Sequence, residues 1–183
     1  MILIASEKPW NKELVNRLNS WSSSEEFQLI ASPDDLNLDH LTARNAQTIF
    51  FPHWSHIIPA EIYDNYECIV FHMTDLPYGR GGSPLQNLIV RGHKQTMISA
   101  LKVRAGLDTG PIYLKSPLSL EGTAEEIFER TDKIIEEMIK EAIRTTEKGN
   151  YLALDPEITQ ELIESVGKEI ASHPFPPGAK PPV

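Results

Sequence analysis

The stretch from Cys68 to Gln86 constrains this chain more than any other. Cys68-Ile69-Val70-Phe71 is a short, unbroken apolar run, the pattern of a strand covered on both faces in a parallel sheet. It stops at a histidine, His72. A loop rich in Pro and Gly follows, Met73-Thr74-Asp75-Leu76-Pro77-Tyr78-Gly79-Arg80-Gly81-Gly82. Ser83-Pro84-Leu85-Gln86 then reads as a helix start, with Ser83 as N-cap, Pro84 as first helical residue and Gln86 as reciprocal capping partner. Strand, loop and helix in that order describe an open α/β sheet, whose ligands bind just past the carboxyl ends of strands, where His72 lies.

The rest of the chain keeps this alternation. Met1 to Ala5 reads as a strand, Ser6-Glu7-Lys8 as a turn, and Pro9 as the start of a helix with Leu14, Val15, Leu18 and Trp21 on one face. Phe27 to Ala31 and Thr48 to Phe51 are further strands, separated by a polar stretch, Asp34 to Arg44, that Leu36, Leu38 and Leu41 anchor. The third strand runs into Pro52-His53-Trp54-Ser55-His56-Ile57-Ile58-Pro59, and Pro59 to Tyr63 is a short helix. The helix from Pro84 stops at Gly92. Thr96 to Arg104 and Pro111 to Leu114 are strands around a tight turn, Gly106-Leu107-Asp108-Thr109-Gly110. Thr123-Ala124-Glu125-Glu126 is a capping box. It opens a long helix whose stripe of Ile127, Ile134, Ile135, Met138, Ile139 and Ile143 reads as core. Asp155-Pro156 opens a last helix, and the end, His173 to Val183, is Pro-rich and extended. The pattern predicts an α/β fold: a single Rossmann-like domain over 1–150 with a mainly parallel sheet flanked by helices, then a C-terminal helix and tail over 151–183.

Bulk properties narrow the function. A length of 183 residues suits one domain with a sizeable core. The net charge of -9, from 26 acidic and 17 basic residues, and the lack of a Lys/Arg cluster speak against nucleic acid as a partner. The single cysteine, Cys68, lies inside an apolar run and reads as a reduced core residue of a cytoplasmic protein. No apolar run reaches membrane-spanning length, and the N-terminus lacks a signal-peptide layout, so no membrane is expected. His53, His56 and His72 have no Cys or carboxylate to complete a zinc pattern, so no metal is expected. The first strand–turn–helix, with Ser6 and Lys8, suits an anion at a helix N-terminus but carries no glycine-rich fingerprint.

Taken together, the two halves of 69–115 resemble the formyltransferases that use 10-formyltetrahydrofolate. That family carries Asn-x-His-Pro-Ser-Leu-Leu-Pro after one strand and Leu-Asp-x-Gly in a later loop. Here the match is His72 and Pro77, then Gly79, Pro84 and Gln86, and Leu107-Asp108-Thr109-Gly110-Pro111. Two departures stand out: the family's asparagine is Val70, and Met73-Thr74-Asp75 replaces Pro-Ser-Leu.

The resemblance implies a formyltransferase catalytic domain, with 10-formyltetrahydrofolate as formyl donor. It assigns His72 as donor to the oxyanion and Asp108 as the group that orients His72 and helps remove the amine proton. Val70 cannot hydrogen-bond, and His53, at another strand end, is the first candidate for the missing donor. Main-chain groups of Ser55, His56, Ile57 and Ile58, and of Arg104, Ala105, Gly106 and Leu107, are expected to hold the pterin. Ser6, Lys8, Trp54, Gly79 and Arg80 are expected around the acceptor.

The wording of the central loop is most similar to the compact nucleotide-sugar formyltransferases, including that of pseudaminic-acid biosynthesis. The expected acceptor is therefore a UDP-linked amino sugar. An expectation that the chain lacks the second domain of tRNA-directed relatives points the same way, and a homodimer stays open. Glycinamide-ribonucleotide formyltransferase, formyltetrahydrofolate hydrolase and a non-catalytic folate- or nucleotide-binding module are the alternatives.

Overall fold

Four short strands of almost purely apolar residues pair side by side and in parallel. The computed structural model describes residues 1–147, and the helix and tail expected beyond Asp155 lie outside them. β1 (Ile2–Ala5), β2 (Phe27–Ile30), β3 (Thr48–Phe51) and β4 (Glu67–His72) form the parallel part. β5 (Gln95–Lys102) and β6 (Ile112–Ser119) add two antiparallel strands. The sheet order is β2-β1-β3-β4-β5-β6. The mainly parallel α/β fold expected from the pattern is what forms. The chain turns one way from β1 to β2 and the other way from β1 to β3, which opens a crevice past the strand ends.

Alternation along each strand divides the core in two. Ile2, Ile4, Phe27, Phe50, Ile69 and Phe71 meet α1 (Asn11–Trp21), α4 (Pro84–Val90) and α5 (Ala124–Glu147) on one face. Leu3, Ala5, Ile49, Phe51 and Cys68 meet α2 (Leu38–Ala43) and α3 (Ala60–Tyr63) on the other. The α5 stripe is core as expected, with Ile127, Ile135, Met138, Ile139 and Ile143 buried. Its capping box closes in both directions: Thr123 N–H donates to Glu126 Oε2 at 2.7 Å, and Glu126 N–H to Thr123 Oγ1 at 3.3 Å. The backbone bond from Thr123, then the side-chain bond, holds the Glu126 carboxyl below its usual range.

The expected cap at the other central helix does not form. Ser83 sits in the left-handed region at φ 54°, and its side chain caps nothing. Three glycines in the four preceding positions let the chain enter α4 from an unusual direction, so Pro84 alone sets the helix start.

Candidate active site

His72 is the last residue of β4, opposite Ser99 of β5. Alternation puts it on the same face as Cys68 and Val70. Asp108 comes from the β5–β6 turn. Lys102, just before that turn, pairs with Ile69 near the start of β4. The turn must therefore double back along β4 to bring Asp108 to His72. Three features permit this. Asp108 adopts φ 52°, a left-handed conformation that Asp tolerates better than most residues. Gly106 sits at φ 95°. A Cβ on Gly110 would lie 1.7 Å from the Lys102 carbonyl oxygen, so only glycine fits there.

The result is a carboxylate beside an imidazole, both largely buried. Asp108 Oδ2 lies 3.5 Å from His72 Nδ1, with the side chains 12 % and 8 % exposed. The other ring nitrogen, His72 Nε2, is 2.7 Å from the Gly79 carbonyl oxygen. The ring is thus held at Nε2 by a carbonyl and flanked at Nδ1 by a carboxylate. Asp108 Oδ2 also accepts the Gly81 N–H at 2.9 Å. The glycine-rich loop is tied to both members of the pair.

The loop leading away from His72 is held from two strands. Ser99 Oγ donates to the Thr74 carbonyl at 2.8 Å and accepts from Leu76 N–H at 3.4 Å. Lys115 of β6 donates to the Asp75 carboxylate and, at 2.6 Å, to the Leu76 carbonyl. Asp75, one of the departures from the family wording, is thereby an anchor. Thr74 stood out in the sequence only as a departure from the family wording, and Ser99 and Lys115 went unremarked; the signal for Ser99 was a polar residue between the buried Ile98 and Ala100.

Outward of the glycine loop lies a cavity of about 220 Å³. Its lining includes Thr74, Gly79, Arg80, Asn87 and Arg91, so two of the residues expected around the acceptor, Gly79 and Arg80, line one space. Ser6 instead serves the β1–α1 turn: it is buried, accepts Asn11 Nδ2–H at 2.7 Å and the Lys8 N–H at 3.3 Å. Lys8 Nζ lies 5.9 Å from the centre of the Trp10 ring.

The structure draws His53 away from the role of second donor. Its ring is buried against Trp10 and Phe128, and Nε2 is 2.6 Å from Asp132 Oδ1 of α5. Those contacts belong to the α1/α5 side of the sheet, whereas His72 belongs to the α2/α3 side. The left-handed φ of 55° at His53 is what swings the ring across. Trp54 packs edge-on to Phe51 and His56, and its indole N–H is buried with no partner among the described residues. His56 Nε2 pairs with Glu7 Oε2 at 2.6 Å. Of the residues expected at the pterin, Ser55 and His56 are exposed and Ile58 is buried. Ile57 and Leu107 expose apolar side chains, at 90 % and 65 %. Arg104, Ala105 and Gly106 are exposed. Among the described residues no three His, Cys, Asp or Glu side chains gather as metal ligands, and no helix is long and apolar enough to cross a membrane.

Known proteins resemble this chain in sequence and in fold. The sequence profile of the formyl transferase family matches residues 7–143. A methionyl-tRNA formyltransferase of Clostridioides difficile is 30 % identical over 128 residues, covering 68 % of this chain and 41 % of that protein. The chain thus spans about two fifths of the length of that curated relative. Among solved structures, a methionyl-tRNA formyltransferase from Clostridium thermocellum superposes with a TM-score of 0.75 at 50 % identity, over 79 % of this chain and 65 % of the other. The formyltransferase PseJ from Anoxybacillus kamchatkensis, in complex with UDP-4,6-dideoxy-4-formamido-L-AltNAc and tetrahydrofolate, superposes with a TM-score of 0.64 at 20 % identity. That superposition covers 81 % of this chain and 78 % of PseJ, a likeness of fold.

Proposed function

This chain belongs to the formyl transferase family, and from that premise we propose that it moves a formyl group from 10-formyltetrahydrofolate to the amine of a nucleotide-linked amino sugar. The observation that carries the reading is the His72–Asp108 pair at the end of β4, beside a cavity lined by Arg80 and Arg91. Two guanidiniums suit the diphosphate of a nucleotide sugar.

In this reading the acceptor's lone pair adds to the formyl carbon, and the carbonyl π pair moves onto oxygen. His72 Nε2–H donates to that oxyanion, and Asp108 orients the imidazole and places negative charge beside it. Asp108 takes the proton that the attacking amine must shed. Collapse reforms the carbonyl as the bond to the folate nitrogen breaks, and the proton ends on that nitrogen.

The residues of the two loops suit a pterin. Ile57 and Leu107 offer exposed apolar surface. PseJ, crystallised with a UDP-sugar and tetrahydrofolate, supports the acceptor class by analogy. Lys8 and Trp54 remain our candidates for phosphate and base. The second reading, an aminoacyl-tRNA acceptor, is favoured by the relatives that are methionyl-tRNA formyltransferases; the charge of -9 weighs against it. Titration with a folate analogue tests the donor half of the proposal. Quenching of tryptophan fluorescence that disappears in Trp54→Phe is expected. Absence of both quenching and heat by calorimetry overturns it.

A further inference from the structure

We infer that Thr74 is the second donor of the oxyanion site, the function the family's asparagine leaves vacant at Val70, and that the Gly79 carbonyl fills that site until substrate displaces it. The inference rests on the formyl-transfer reading above. Two side-chain donors converge on one oxygen: His72 Nε2 at 2.7 Å and Thr74 Oγ1 at 3.3 Å from the Gly79 carbonyl. One of them is the group that the proposed chemistry aims at the formyl oxygen. A pair of donors meeting at a single oxygen is the form an oxyanion site takes, with the protein's own carbonyl as the stand-in for the formyl oxygen.

The mechanics on either side of that oxygen differ. The donors are fixed. His72 ends a central strand, and Thr74 is buried, its main chain held by Ser99 Oγ at 2.8 Å. The next two residues are clamped by Lys115, at 2.6 Å from the Leu76 carbonyl. The oxygen they hold is carried by a pliable segment. Gly79 and Gly81 have φ of 71° and 105°, and at Gly81 and Gly82 a Cβ would meet nothing within 4 Å. That loop's ties to the pair are Gly79 O on His72 and Gly81 N–H on Asp108. A formyl group entering from the adjoining cavity, which Thr74 and Gly79 both line, exchanges one carbonyl for another. Neither donor is left without an acceptor at any stage.

Val70 cannot serve, since its side chain packs with Leu76, Leu101 and Ile112. His53 is held by Asp132. Thr74 is the hydroxyl that already points at the right oxygen.

The test compares Thr74→Val, which keeps the shape and loses the hydroxyl, with Thr74→Ser, which keeps the hydroxyl. With 10-formyltetrahydrofolate and an accepted amine, Thr74→Val is expected to lower kcat about a hundredfold, as loss of one such donor does, with KM within about threefold. Thr74→Ser stays within about fivefold of the wild type. In parallel, histidine-15N-labelled protein is titrated with 5-formyltetrahydrofolate, which binds without transferring its formyl group. Displacement of Gly79 predicts a shift of the His72 Nε2 resonance. Normal kcat in Thr74→Val, equal losses in the Val and Ser variants, or folate binding without any His72 shift each overturn the inference and leave the formyl-transfer reading standing. Failure of the wild type to bind the folate at all removes that reading and this inference with it.

Discussion

Asp108→Asn separates the charge of this residue from its structural duties. Asn accepts the left-handed φ of 52° as readily as Asp, and its amide oxygen still receives the Gly81 N–H. The turn therefore keeps its shape, and the melting temperature should stay within about 3 °C of the wild type. What disappears is a negative charge 3.5 Å from His72 Nδ1. At an effective dielectric of about 20, a full charge pair at that distance is worth about 5 kcal/mol, a ceiling on the loss. Solvent at the edge of the site leaves roughly half of this, about 2–3 kcal/mol, or about a hundredfold in rate. The assay follows release of tetrahydrofolate under saturating amine. The expected result is a fall of about a hundredfold in kcat with a native fold, matched by His72→Ala, and a double variant little worse than either single one. An Asp108→Asn enzyme within threefold of the wild type would refute the reasoning, because the substitution keeps the turn and removes both the carboxylate's charge and its capacity to take the amine proton.

Three further outcomes follow from the packing. Burial, with a smaller contribution from Glu67 and an opposing one from Lys102, pushes the Cys68 thiol up to about 12. Since an unfolded thiol ionises near about 8.5, stability should be intact below that pH. It should then fall between there and about 12 by at most about 1.4 kcal/mol per pH unit. Urea titrations against pH check this, and Cys68→Ala should flatten the decline. Gly110→Ala drives a Cβ into the Lys102 carbonyl and should cost about 3 kcal/mol or more, read as a lowered melting temperature; an unchanged value contradicts the placement of the turn. His53→Ala removes the bond to Asp132 and should cost about 1–3 kcal/mol of stability while slowing turnover less than Thr74→Val does; the reverse ranking would return the donor role to His53.

The α/β alternation was legible because strands with both faces covered read as apolar runs, and β3 matched its expected limits at Thr48 and Phe51. The capping box at Thr123 was legible too, being a purely local device. The cap at Ser83 was not, since its failure depends on the direction from which a glycine loop enters α4. Nor was the fate of His53, because one left-handed residue sends a strand-end side chain to the opposite face of the sheet. His72 and Asp108 were recognisable from the wording around them. Their meeting was not, since it needs the β5–β6 turn to fold back along β4, a consequence of antiparallel pairing that no local pattern encodes. Thr74 was legible only as a departure from the family wording, since nothing local shows that its hydroxyl and the His72 ring meet on the same oxygen.

The central claim is formyl transfer to a sugar amine. Its most direct test supplies 10-formyltetrahydrofolate with a UDP-linked 4-amino sugar, with glycinamide ribonucleotide, with methionyl-tRNA, and with no amine, in parallel. Tetrahydrofolate release and the mass of each acceptor are then followed. The account predicts that the sugar gains one formyl group, with an equal amount of tetrahydrofolate released and little release in the amine-free reaction. Faster formylation of the ribonucleotide or of the tRNA, release that needs no amine, or no release with any acceptor would contradict it.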